Sequence, residues 1–212
     1  MSKTSKLDRE TIVGTWAYWS LKDFYVAFDI ENKFSVYSTF FCHQGLEKMC
    51  KAYLIGTKAS RYESLSIQVA RKEVNDIAKN ECGHDLREMI KNLISYNVLH
   101  ENIFKNKYAK YGNKDVTGKS IIKILEKAYL ECRYPVPNPI HKNYPVKTKG
   151  LIIIYDSPLS STKLRKFAYE VGLKIIEKIE KDFNMIIPRE KFSTKINDED
   201  WIRFRRIFFN DI

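Results

Sequence analysis

Apolar residues recur at helical spacing along most of this chain. Val13, Ala17, Leu21, Phe24 and Phe28 form one stripe that predicts a helix over about 15–31, ending near Glu31, Asn32 and Lys33. Cys42, Leu46, Met49, Cys50 and Tyr53 predict a second over 35–55, with Gly56 as its stop. Gly83, His84 and Asp85 open a third over 84–99, whose apolar face is Leu86, Met89, Ile90 and Leu93. The fourth, over 119–132, runs through Ile121, Leu125, Ala128 and Cys132. It must end near Arg133, because Pro135, Pro137 and Pro139 remove backbone donors and restrict the residues before them. Ser160 or Ser161 caps a fifth over 162–183, with Leu164, Phe167, Ala168, Val171, Ile175 and Ile179 on one side.

Between these helices the pattern weakens. Residues 57–82 are polar, with a poorly patterned short helix over 64–79, and 95–118 read mostly as loop. Residues 134–150 form an extended connection, and Leu151–Tyr155 one short strand. Acidic residues at 198–200 precede Trp201, Phe204 and Phe208, with arginines following, which suits the dipole of a short terminal helix. The expected fold is therefore all-α: an antiparallel up-and-down bundle of four to five helices with insertions at 57–82 and 95–118 and a short β element near 150–155. One helical domain spans 1–190, and 191–212 extend it.

Composition narrows the function classes. Of 212 residues, 44% are hydrophobic and 13% aromatic, which excludes a disordered chain. Lys and Arg outnumber Asp and Glu by 37 to 26, and the net charge of +11 favours acidic partners such as RNA or nucleotides. No apolar run approaches the roughly 20 residues that cross a bilayer, so no membrane association is expected. The N-terminal residues are charged where a signal peptide would be apolar, so the expected location is the cytoplasm and the cysteines are expected as thiols.

Two motifs resolve to structural readings. Asn113 to Ser120 imitates a phosphate-binding loop, but Asn113 stands where the first glycine is needed and no buried strand precedes it. The cysteines and histidines lack the short Cys-x-x-Cys spacing of a local zinc site, so no metal and no cofactor is expected. Basic residues alternate with aromatics at 105–111 and 201–209, a composition that suits phosphate contact with base stacking. The second segment reads better as a charged face over an aromatic stripe.

A distributed set of residues is more informative. It comprises Asp23 and Ala27 in the first helix and His43, Gln44, Glu47, Lys48, Lys51, Ala52 and Leu54 in the second. Gly83-His84-Asp85-Leu86 opens the third, and Arg133-Tyr134-Pro135 follows the fourth. In this order they resemble the higher-eukaryote and prokaryote nucleotide-binding (HEPN) family over about residues 13–183. The resemblance implies a helical bundle, a homodimer, and nucleotide or RNA binding through His43, Lys51, His84, Arg133 and Tyr134. It also implies a toxin–antitoxin or defence setting beside a nucleotidyltransferase-type partner. Many members of the family are metal-independent ribonucleases with an Arg-x(4–6)-His motif. There an imidazole takes the 2′-hydroxyl proton and a guanidinium stabilises the transition state. Here the near match, Arg133 to His141, has seven intervening residues and three prolines. Binding without cleavage is thus the leading expectation. The alternatives are an endoribonuclease using Arg133 and His141, and a non-catalytic protein-interaction module.

Overall fold

A computed structural model describes residues 7–31, 35–111, 113–133 and 161–187. Among the described residues, seven α-helices occur in chain order: α1 (Arg9–Ile30), α2 (Ser35–Gly56), α3 (Ile67–Asp76), α4 (Leu86–Ser95), α5 (Asn102–Lys105), α6 (Gly118–Arg133) and α7 (Ser161–Phe183). A 3₁₀ turn occupies Ala59–Arg61 and a π-helical turn Ile77–Glu81. A hairpin, β1 (Lys107–Tyr111) with β2 (Lys114–Thr117), lies between α5 and α6. The protein is an all-α bundle with one small β element among the described residues.

α2 is the axis of the bundle, and α1, α4, α6 and α7 all pack on it. Its direction relative to each can be read from the contacts. The Ser38 hydroxyl donates to Ala27 O (2.7 Å) and the Ser20 hydroxyl to Gly45 O (2.6 Å), so α1 runs against α2. α7 runs with α2. Its Arg165 Nε meets Glu31 Oε2 at 2.6 Å beside the α1–α2 turn, and Asp182 accepts from Tyr53 OH (2.7 Å) at the far end of α2. α4 also runs with α2, through His84–Glu47 and Tyr96–Tyr53, and α6 runs against α4, through Tyr129–His84 and Glu126–Arg87.

Glycines set how closely these helices approach. The Phe24 ring is held between α2 and α7, because a Cβ at Gly45 or at Gly172 would lie 2.9 Å from it. Near the hairpin the approach involves backbone: a Cβ at Gly118 would run into Ile103 O, and Gly118 N donates to Asn106 O (3.1 Å). Gly118 therefore packs α5 onto the start of α6 and leaves no open cradle for phosphate.

The apolar stripes read from the sequence are buried almost throughout, in one core shared by the five long helices and α3. Among the described side chains of these stripes Phe28 is the exception: it is half exposed, with the Arg165 guanidinium 4.6 Å from its ring centroid. α1 begins six residues before the predicted start, because Asp8 caps it by accepting from Thr11 N (2.7 Å). The helix expected over 64–79 is α3 with its π turn. Arg61 ties this segment down through Glu73 and Glu81, and Lys58 also pairs with Glu81.

The loop expected over 95–118 is corrected to α5 and the hairpin. The pairing Lys107↔Thr117, Ala109↔Val116, Lys110↔Asp115 and Tyr111↔Lys114 has an irregularity between Lys107 and Ala109. That shift breaks the period-2 pattern by which a strand is recognised. The short strand at 151–155, the connection 134–150 and the terminal helix lie outside the described residues.

Alanine at position 118 forces backbone apart and cannot be absorbed by a side-chain rotation. Gly118→Ala should cost about 3 kcal/mol in urea unfolding, the upper end for overpacking. A loss below about 0.5 kcal/mol would contradict the close approach described for α5 and α6.

Candidate functional site

His43, Glu47 and Lys51 stand at i, i+4 and i+8 on α2, so they share one face. That face points inward: relative exposures are 0%, 5% and 3%. Glu47 is the shared partner. Lys51 Nζ donates to its Oε1 at 2.8 Å, and His84 Nδ1 lies 2.9 Å from the same oxygen. His84 comes from the linker before α4, where Gly83 adopts φ +66° just after the π-helical turn. Its side chain is half exposed, so it covers the buried carboxylate from the solvent side.

The cluster is incompletely satisfied. His43 Nδ1 approaches Glu47 Oε2 only to 3.6 Å, beyond a hydrogen bond. Both His43 nitrogens and Glu47 Oε2 are buried without a hydrogen-bond partner among the described residues. Each such group costs about 1–3 kcal/mol relative to a satisfied one. Burial lowers the pKa of His43 to about 4, against the pull of Glu47 and assisted by His84 and Lys51, so the ring is neutral at pH 7.

Tyr129 of α6 completes the site. Its ring stacks on His43 (centroids 4.5 Å apart, planes 19° apart) and lies nearly parallel to His84 at 6.2 Å. The Phe40 ring is parallel to that of Tyr129 to within 1°, with centroids 6.1 Å apart. On the α1 side, Lys51 Nζ sits 6.0 Å from the Trp16 ring centroid. One turn away, Lys48 Nζ donates to Asp23 Oδ2 at 2.6 Å. Burial raises the Asp23 carboxyl to about 6 despite Lys48, and Glu47 adds to the rise. At the start of α4, Asp85 accepts from Glu88 N and Glu126 from Arg87 N. These two carboxylates occupy two of the amides that a phosphate would otherwise use.

Three of the residues expected from the sequence, His43, Lys51 and His84, are therefore brought together. Arg133 is the last residue of α6, and Tyr134 and His141 lie outside the described residues. Glu47, Tyr129 and Trp16 belong to the site but were not expected in it. Glu47 had a signal in its i+4 spacing from both His43 and Lys51. Tyr129 had none, because its contacts span more than 40 positions of sequence. Among the described residues no group of three His, Cys, Asp or Glu side chains is arranged so that it could hold a metal ion.

The basic-aromatic segment 105–111 lies at the surface, with Lys105, Lys107, Tyr108 and Lys110 exposed, and three of these side chains have partners within the fold. Lys105 pairs with Glu101 (3.0 Å), Lys107 with Asp115 (2.6 Å), and Tyr108 packs edge-on against Phe167 (4.9 Å). The cleft beside Tyr108 measures about 80 Å³, well short of the roughly 300–1,000 Å³ of ligand pockets.

The two perturbed groups oppose each other in their effect on stability. Asp23, raised from 3.8 to about 6, contributes stability that is present below pH 4 and lost as pH rises through 6. His43, lowered from 6.5 to about 4, contributes stability that is present above pH 6.5 and lost as pH falls through 4. Asp23→Asn removes the first contribution only. On acidification from pH 6.5 to 4 the variant should lose on the order of 3 kcal/mol more than the wild type. Thermal melts across that range check this, and parallel profiles would contradict it.

Comparison with family models, with curated proteins and with solved structures gives no match, so the functional reading rests on the motif order and on the chemistry of this cluster.

Proposed function

We propose that this chain is a nucleotide- or RNA-binding protein of HEPN type, with its ligand site at the buried stripe of α2 and the facing residues His84 and Tyr129. One observation carries the reading. His84, 37 positions further along the chain, meets the His43, Glu47 and Lys51 face of α2 at Glu47, and the cluster leaves buried polar atoms without hydrogen-bond partners among the described residues. A bundle core gains nothing in stability from such groups. Replacing them with apolar residues of similar volume is often neutral or stabilising. A buried histidine whose pKa is shifted, as burial shifts that of His43, is a functional-site candidate on physical grounds.

The +11 net charge supports an acidic ligand by raising its local concentration. On the same reading the protein is a cytoplasmic homodimer that works beside a nucleotidyltransferase-type partner in a toxin–antitoxin or defence system.

The full-length protein should bind single-stranded RNA with an affinity that falls linearly on a log–log plot against salt, as phosphate contacts release counterions. His43→Phe keeps a ring against Tyr129 and removes both imidazole nitrogens. It should weaken binding about tenfold, the loss of roughly 1.4 kcal/mol. Fluorescence anisotropy measures both. In EDTA the RNA should stay intact. Cleavage that disappears in both Arg133→Ala and His141→Ala would replace this reading with the ribonuclease one. Absence of any salt-sensitive binding would favour a protein-interaction module.

A further inference from the structure

The imidazole of His84 occupies a position with three properties. Its Nδ1 hydrogen-bonds to Glu47 Oε1 (2.9 Å), its plane lies 19° from that of Tyr129, and its side chain is half exposed. Beside it, Glu47 Oε2 and both His43 nitrogens are buried without a hydrogen-bond partner among the described residues. A planar ring with an N–H edge is thus already bound there, held by the protein itself, above acceptors it does not fill. The linker that carries it is short of regular hydrogen bonding, with a π-helical turn before it and Gly83 at φ +66°.

We propose that His84 is a displaceable stand-in for a nucleobase, and that Glu47 selects guanine. The proposal rests on the nucleotide-binding reading above and gives that site its base specificity. An ionised carboxylate only accepts hydrogen bonds. It therefore matches guanine, whose N1–H and N2–H are adjacent donors, and mismatches adenine, whose N1 is an acceptor. Glu47 has one oxygen shared with Lys51 and His84 and one with no partner, so two donors arriving side by side satisfy both. The base would lie on Tyr129 where His84 now lies, and its larger ring system would extend into the solvent on the side His84 already exposes.

An arginine guanidinium presents the same pair of donors and also stacks on tyrosine. It fits less well here, because it would set a second cation beside Lys51 Nζ, itself 2.8 Å from Glu47 Oε1. The neutral guanine edge carries no such repulsion. Asp85 and Glu126 already take the amides of Glu88 and Arg87 at the start of α4, which favours discrimination through the base.

The test is titration of the full-length protein with 5′-GMP, 5′-AMP and L-arginine at fixed salt. GMP should bind at least about tenfold more tightly than AMP, because a site built to hydrogen-bond a donor rejects the analogue that lacks it. Glu47→Gln offers one acceptor and one donor, which matches adenine's edge, and should reverse or abolish the preference. His84→Ala removes the internal competitor and should tighten GMP binding several-fold while keeping the preference. A residue with a merely structural role would not tighten binding when truncated.

Equal affinity for GMP and AMP, an unchanged preference in Glu47→Gln, no gain in His84→Ala, or tighter binding of arginine would each overturn the proposal. If neither mononucleotide binds while salt-sensitive RNA binding persists, the guanine site is wrong and the broader reading stands. If RNA binding is absent as well, both fall.

Discussion

A helix packed against four others has little surface left for water, and α2, 22 residues long, is in that position. Any polar side chain on it must find its partners within the protein or go without. Most of α2 meets this with apolar residues and small contacts. Gly45 admits the Phe24 ring, and Cys42 and Cys50 fill space as buried thiols. Ser20 of α1 and Ser38 of α2 tie the two backbones together. Burial pushes both thiols well above their ordinary pKa, so they stay protonated and serve as small hydrophobes. The stripe of His43, Glu47 and Lys51 breaks this rule over two turns of the same helix.

Glu47 organises the polar break. Its carboxylate draws Lys51 inward from α2 and His84 inward from the α4 linker, and by doing so fixes the imidazole over Tyr129 of α6. Residues of α2 and of the α4 linker thus meet at one carboxylate, with Tyr129 of α6 lying along both imidazoles. Yet the arrangement is not closed, since one Glu47 oxygen and both His43 nitrogens remain without partners among the described residues. The Asp23–Lys48 pair one turn away is satisfied by comparison, although burial still raises the carboxyl. The contrast between the two pairs places the unsatisfied polar groups at His43 and Glu47 and leaves Asp23 as a tie between α1 and α2.

The long helices were legible in the sequence because each has a stripe to bury, and their predicted bounds hold to within a few residues except at the start of α1. There, the cap Asp8 precedes a first turn of polar residues that carries no stripe signal. The hairpin was not legible. Among its described residues only Val116 is buried, and the irregularity after Lys107 removes the alternation that reveals a strand. At the site, the i, i+4, i+8 spacing made the His43–Glu47–Lys51 face readable, and the motif order placed His84 with it. Tyr129 and Trp16 were not readable, because they reach the stripe through tertiary packing from α6 and α1. Phe28 shows the same limit in reverse: a stripe position at the end of a helix can run past the edge of the core.

The central claim is that the polar stripe of α2 is retained for a ligand at the expense of stability. The most direct measurement is the unfolding free energy of the triple variant His43→Leu, Glu47→Leu, Lys51→Met, with RNA binding followed in parallel. The account predicts a gain of about 1–4 kcal/mol, as for other buried ionic groups replaced by packed apolar side chains, together with loss of binding. A variant that is less stable than the wild type and still binds RNA would contradict it.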